Sequence, residues 1–195
     1  MADAPKLLML VGAATTPGRL AAAIAVAADA ARANGGDLAV DILNLAETPI
    51  EICDGRPLDS YGAATRQAVA RIAAAGAVLI GAPVYRASFP GVLKNLLDIV
   101  PVDALQGKPV GIVAIGGSPH HYLAVDSQLR PVLGWFGALV APTSVYVTGG
   151  DFHEGRLTSE TARKDLAALT DTLIVLLRRL DPAALGPPPL AAKFT

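Results

Sequence analysis

Short, wholly apolar runs alternate along the chain with longer stretches whose apolar positions recur every three or four residues. The first run, Leu7-Leu8-Met9-Leu10-Val11, reads as a strand, and the alanine-rich stretch from Leu20 to Ala33 reads as a helix stopped by Asn34-Gly35-Gly36. Leu38 to Leu43 is a second strand. An irregular loop with Pro49, Gly55 and Pro57 leads to a helix from Ala64 to Ala75, ended before Gly76. Ala77-Val78-Leu79-Ile80 is a third strand. The helix after it starts near Pro90 and carries Val92, Leu93, Leu96, Leu97 and Ile99, more apolar residues than one core-facing stripe requires. Pro109 to Ile115 is a fourth strand. Tyr122 to Phe136 has helical period, with Pro131 expected to kink it or shift its start. Leu139-Val140 leads past Pro142 to a fifth strand, Val145-Tyr146-Val147. Thr158 is the candidate cap of a last helix that runs to about Leu180.

Strands that are apolar throughout are buried on both faces, and their alternation with helices implies parallel strands joined by right-handed crossovers. The expected fold is α/β: a flavodoxin-like three-layer sandwich with a five-stranded parallel sheet of order 2-1-3-4-5. Residues 1–181 form its single domain and 182–195 a proline-rich tail. In that order the topological switch lies between strands one and three. The loops after strands one, three and four then line one site. The pattern places a ligand without naming it.

Composition narrows the function classes. A formal net charge of −1 gives no basic excess for nucleic acid or an anionic membrane surface. No apolar stretch reaches membrane-spanning length, and the one cysteine, Cys53, excludes an internal disulfide framework, so a cytoplasmic protein is expected. Cys53 has only Arg56 near it in sequence, and an inert thiol is expected.

Three loops can carry chemistry. The first, Gly12-Ala13-Ala14-Thr15-Thr16-Pro17-Gly18-Arg19, has neither a P-loop ending nor a GxGxxG pattern. Its hydroxyls, its arginine and the helix start suit a phosphate monoester; an ordinary strand-to-helix turn is the competing reading. The second, Pro83-Val84-Tyr85-Arg86 up to Gly91, can set backbone groups against a flat ring. Tyr85 as a core or interface aromatic and Arg86 as a solvated charge compete with that role. Lys94 and Asp98 are spaced for a helix-surface ion pair. In the third, Gly116-Gly117-Ser118-Pro119-His120-His121, two glycines allow backbone amides to approach a ligand closely. His120 and His121 point apart and have no carboxylate cluster nearby in sequence, so no metal site is expected. His153 reads as structural or solvated. No Ser-His-Asp or Cys-His arrangement is evident, and no side chain is assigned as catalytic. That fits redox chemistry, in which bound cofactors react and the protein aligns them.

Ala82-Pro83-Val84-Tyr85-Arg86-Ala87-Ser88-Phe89-Pro90-Gly91-Val92-Leu93-Lys94, together with Ala104-Leu105-Gln106-Gly107-Lys108, Gly116-Gly117-Ser118-Pro119-His120, Leu123 to Asp126 and Leu129 to Leu133, resembles the NADPH-dependent FMN reductases. The likeness covers most of the chain, up to about Val147. Azo- and quinone-reducing relatives usually show Pro-Glu-Tyr-Asn in the second loop. Val84 and Arg86 here favour the branch that serves two-component flavin monooxygenases. The resemblance implies hydride transfer from NADPH or NADH to FMN, a flavin-dependent monooxygenase as possible partner, and a homodimer or homotetramer built on the helices beginning near Gly91 and Tyr122. By position, Gly12, Thr15, Thr16 and Arg19 would hold the phosphate. Pro83, Val84, Tyr85 and Arg86 would border the flavin ring, and Gly116, Gly117 and Ser118 would face its polar edge. The first loop departs from the family pattern: Ala13, Thr15 and Leu20-Ala21-Ala22 replace a serine, an arginine and a cluster of hydroxyls. Weak FMN binding is the expectation. A quinone or azo reductase with retained FMN and a non-catalytic flavodoxin-like subunit are the alternatives.

Overall fold

The computed structural model describes residues 4–15, 18–181 and 185–187. Thr16 and Pro17 of the first loop, and Pro182, Pro188 and Pro189 of the tail, lie outside the described residues.

The expected strands form, as β1 (Lys6–Val11), β2 (Ala39–Asn44), β3 (Ala77–Pro83) and β4 (Pro109–Gly116). They pair in parallel in the order β2-β1-β3-β4. The fifth position is filled twice: β5 (Leu139–Val140) and β6 (Val145–Thr148) both pair with β4. Val110 pairs with Val140 and Val113 with Val145, so four residues, 141–144, face two on β4. Pro142 has no N–H for the ladder and sits in this bulge. A hairpin of β7 (Phe152–His153) and β8 (Arg156–Leu157) follows.

Alternating side chains divide the core into two layers. Leu8 and Leu10 of β1 join Ile80, Ile112 and the inner faces of α2 (Ala63–Ala74), α3 (Gly91–Ile99) and α4 (Ala124–Trp135). Leu7, Met9 and Val11 join Leu79, Val113 and the inner faces of α1 (Arg19–Asn34) and α5 (Glu160–Arg179). α1 buries Ala23, Ala27, Ala28 and Ala31, whose small size lets the helix lie close to its neighbours.

Three sequence expectations are corrected. Leu93, Leu96, Leu97 and Ile99 are buried in the chain's own core and Val92 packs against it, so the core takes up the apolar residues that read as an excess on α3. The half-exposed aromatics among the described residues are Tyr85, Tyr122 and Trp135. The cap of α5 is Ser159, whose hydroxyl accepts from the Ala162 N–H, while Thr158 turns to the Asp151 carbonyl. α4 begins two residues later than expected, after a short 3-10 turn at Pro119–His121, and runs through Pro131.

Residues in or next to the runs that carry the family likeness hold the frame. The Asn95 side chain accepts from the Cys53 N–H and donates to the Glu51 carbonyl, pinning the long loop after β2. Lys108 Nζ donates to the Ile72 and Ala73 carbonyls and so caps the C-terminus of α2. Burial lowers the Lys108 pKa, a shift that Asp103 only partly offsets.

Candidate functional site

The carboxyl ends of the strands are level: Val11 pairs with Gly81, Pro83 with Ile115 and Gly116 with Thr148. The three expected loops leave from this one edge. A cleft of about 310 Å³ lies there, lined by Ala13, Thr15, Gly18 and Arg19 of the first loop, Pro83 and Tyr85 of the second, and Ile115 before the third. A groove of about 360 Å³ between α5 and the β5–β6 bulge is somewhat larger, but Asp165 is its one charged lining residue and it lies away from the loops.

In the first loop the Gly12 N–H donates to the Gly81 carbonyl at 2.8 Å. A Cβ on Gly12 would stand 2.8 Å from that carbonyl oxygen and 3.0 Å from Leu93 Cδ2. Gly12 thus serves the exit of the strand, and its N–H is not free for a ligand. Thr15 and Arg19 are exposed. Gly18 precedes α1 in extended conformation and provides no side-chain cap, and the first turn holds no acidic residue. The leading N–H groups of α1 are therefore open to an anion. Arg19 has no hydrogen bond or ion pair among the described residues.

The second loop is a tight hairpin. Val84 N–H donates to the Ile115 carbonyl, extending the β3–β4 ladder, and Tyr85 and Ser88 exchange two backbone hydrogen bonds at 2.9 and 3.1 Å. Between them Arg86 and Ala87 have φ of 50° and 61°. Both central residues at positive φ mark a type I′ turn, which normally takes asparagine and glycine. Held by these bonds, the turn leaves the Tyr85 ring half exposed beside the cleft. Lys94 and Asp98 form the expected ion pair on α3 at 2.5 Å.

The third loop depends on a residue that the sequence did not single out. Tyr146 of β6 donates its hydroxyl to the Ser118 carbonyl at 2.7 Å. A Cβ on Gly116 would fall 1.8 Å from that hydroxyl oxygen, so Gly116 is glycine to admit Tyr146. Burial raises the Tyr146 pKa, keeping the phenol protonated as a donor. Gly117 is different: nothing lies within 4 Å of where its Cβ would be. Its open backbone can approach a ligand.

A fourth segment joins the site. After β6, the turn Gly149–Asp151 is closed by the Asp151 carboxylate, which accepts from the Thr148 N–H at 2.7 Å and from the Thr148 hydroxyl at 3.1 Å. Burial pushes the Asp151 pKa up, but these donors outweigh it and leave the carboxyl below its ordinary range. The Arg19 guanidinium lies against Gly149. Two glycines and an aspartate after the fifth strand were the available sequence signal. Behind the third loop, Asp126 in the first turn of α4 pairs with Arg130 at 2.7 Å, and Arg130 reaches the Pro142 carbonyl at 3.2 Å. Burial raises the Asp126 pKa, and the Arg130 and Ser144 side chains more than reverse this, so the carboxyl sits below its usual range.

Among the described residues the edge therefore presents Arg19 and a helix start on one side, and an exposed aromatic with open backbone on the other. No group of three His, Cys, Asp or Glu side chains comes together among the described residues. No described helix is long and apolar enough to cross a membrane.

Fold and site define a flavodoxin-like protein with a loop cluster suited to a phosphorylated planar ligand. Residues 5–153 match the family model of NADPH-dependent FMN reductases, and the chain belongs to that family. An NAD(P)H-dependent FAD/FMN reductase of Geobacillus thermodenitrificans is 37% identical over 131 residues, 67% of this chain and 71% of that one. The NADH-dependent FMN reductase SfnF of Pseudomonas putida is 29% identical over 86% of this chain and 90% of its own. Among solved structures, the apo form of the NADH:FMN oxidoreductase EMOB superposes with a TM-score of 0.74 at 26% identity, covering 88% of this chain and 89% of that one.

Proposed function

We propose that the cleft binds FMN and that the protein is an NAD(P)H-dependent FMN reductase that releases reduced flavin to a partner monooxygenase. Family membership supports the reaction. The observation that carries the mode of action is the asymmetry of the cleft, which offers a built seat for a ring but only a sparse one for a phosphate.

The residues fit FMN. Arg19, the Thr15 hydroxyl and the leading amides of α1 suit the phosphate, and Thr16 falls in the same loop. Pro83, Val84, Tyr85 and Arg86 border the ring, with Gly117 and Ser118 towards its polar edge. When bound, FMN supplies a ring that accepts hydride from the nicotinamide. The protein orients: the Val84–Ile115 and Tyr85–Ser88 bonds fix the second loop, and Tyr146 fixes the third. No side chain is needed to store a proton or form a covalent bond. Ala13 and Leu20 are buried and cannot donate to a phosphate, so affinity is reduced and FMN exchanges. A homo-oligomer fits the half-exposed Trp135, which borders a groove of about 340 Å³ with Lys94, Leu97 and Phe136.

The test is NAD(P)H oxidation with and without added FMN, alongside flavin fluorescence titration. Turnover that rises with FMN at micromolar affinity, about −8 kcal/mol, is expected. Nanomolar affinity with turnover independent of added FMN would make the protein a reductase with resident flavin, as in a quinone or azo reductase. No flavin binding at millimolar FMN would remove the reading.

A further inference from the structure

We infer that Gly149, in the turn after the fifth strand, is a positioning residue that sets where the Arg19 guanidinium stands and thereby sets the preference for FMN over riboflavin. This rests on the reading of Arg19 as the phosphate cation.

Three observations converge. Arg19 is the first residue of α1, and it has no ion pair or hydrogen bond among the described residues to fix its long side chain. An unrestrained arginine samples many rotamers, and ordering it on a ligand costs affinity. Its guanidinium nevertheless lies against the backbone of Gly149: a Cβ there would meet Nη1 at 3.0 Å and Cζ at 3.7 Å. Finally, the surface under it is rigid. Asp151 closes the turn through the Thr148 N–H and hydroxyl, and the Asp151 carbonyl accepts from the Thr158 and Ser159 N–H groups at 2.9 and 3.1 Å. The arginine has a floor in place of a partner. That leaves its N–H donors without a partner among the described residues and open to an anion.

The floor must lack a side chain. Gly149 does not have a left-handed φ, so alanine can adopt its backbone. Its Cβ would push only the far end of a flexible side chain, by a few tenths of an ångström. Folding is thus little affected while the guanidinium moves. Charge-assisted hydrogen bonds to phosphate depend on geometry, so the displacement weakens FMN and leaves riboflavin alone. The chemical class that the device selects is the phosphate monoester, and the turn supplies placement rather than charge. In a first loop short of hydroxyl donors, one well-placed arginine does more.

The experiment measures FMN and riboflavin dissociation constants for the wild type, Gly149→Ala, Arg19→Ala and the double variant, with thermal melts for each. Wild type favouring FMN, and Arg19→Ala losing that preference, establishes the phosphate reading. On that ground Gly149→Ala raises the FMN constant about three- to tenfold, with riboflavin within about twofold. In the Arg19→Ala background the same change has no further effect. Gly149→Val enlarges the FMN-specific loss and serves as the second variant. Equal losses for both flavins, or a Gly149→Ala effect that persists without Arg19, would overturn the inference while leaving Arg19 in place. A wild type that does not discriminate between the flavins would overturn the phosphate reading and this inference with it.

Discussion

The two sides of the cleft are built on different principles. On the ring side, backbone hydrogen bonds and a tyrosine hydroxyl fix the second and third loops, and the second stores strain at Arg86 and Ala87. On the phosphate side, the first loop spends the Gly12 N–H on its own frame and presents Arg19 without a polar partner among the described residues. Preorganised groups bind without an ordering cost, whereas free ones bear it at each binding event. On the proposed reading, shape holds the flavin ring and the adjustable Arg19 charge holds the phosphate. This division suits a protein that takes up a flavin, reduces it and lets it go.

The largest expected effect comes from breaking the ring side. Gly116→Ala would put a methyl group 1.8 Å from the Tyr146 hydroxyl, and Cζ of the same ring stands at 2.8 Å. Either the ring or the loop must move, and the Ser118 carbonyl loses its donor. Stability is expected to fall by about 3 kcal/mol, the upper end for overpacking. FMN and riboflavin affinity should fall together. A thermal melt and two titrations check this; an FMN-specific loss would show that the third loop reaches the phosphate instead.

Next is Arg19→Ala, which tests the other side alone. Losing charge-assisted hydrogen bonds is expected to weaken FMN about ten- to a hundredfold, with riboflavin unchanged. The melting temperature should not move, because Arg19 makes no polar contact with the described residues of the fold. Equal losses for both flavins would take the arginine out of the phosphate site and erase the contrast between the two sides.

How far the sequence reveals this arrangement differs by region. The sheet order and the convergence of three loops follow from apolar runs, which report burial directly. Residues that act by excluding a side chain are not legible in that way. Gly12 and Gly116 look like ligand-facing glycines, yet their missing Cβ atoms make room for a carbonyl and a tyrosine. Lys108, within a run that carries the family likeness, and Asn95, next to another, hold distant backbone. Tyr146 is hidden because it sits mid-strand, where an aromatic is read as packing. Gly149 comes from the far end of the topology, and only the β4–β6 register brings it to Arg19. Composition also does not tell which neighbour covers a face: the apolar residues that read as an excess on α3 lie in the chain's own core.

A smaller effect probes what stands behind the third loop. The Asp126 carboxyl lies below its ordinary pKa because the Arg130 and Ser144 side chains together outweigh burial. A depressed carboxylate contributes stability that is fully present above the unfolded value of 3.8 and is lost as pH falls through the lower folded value. Asp126→Asn is expected to cost about 1–2 kcal/mol at neutral pH and to flatten the acid limb of the stability curve below about pH 4. Denaturant melts at pH 7 and pH 3 check both. An unchanged acid limb would assign the acid sensitivity to other carboxylates, such as Asp151.

The smallest effect has the opposite sign. Ala87 holds φ of 61°, where a Cβ crowds the backbone at a cost of about 1–2 kcal/mol. Ala87→Gly removes that strain but gives the unfolded chain more freedom, worth about 0.5–1 kcal/mol against folding. The net expectation is a gain of about 0.5–1 kcal/mol, or roughly 1–4 °C in melting temperature for a chain of this size. The Tyr85–Ser88 bonds would still close the turn, but its tip would be freer, so flavin affinity should stay level or fall slightly. A stabilised variant with weaker ring binding would show that the strain is kept because it holds Tyr85 in place. A destabilised variant would mean that the left-handed pair does not persist in solution. The ring side would then be as adjustable as the phosphate side.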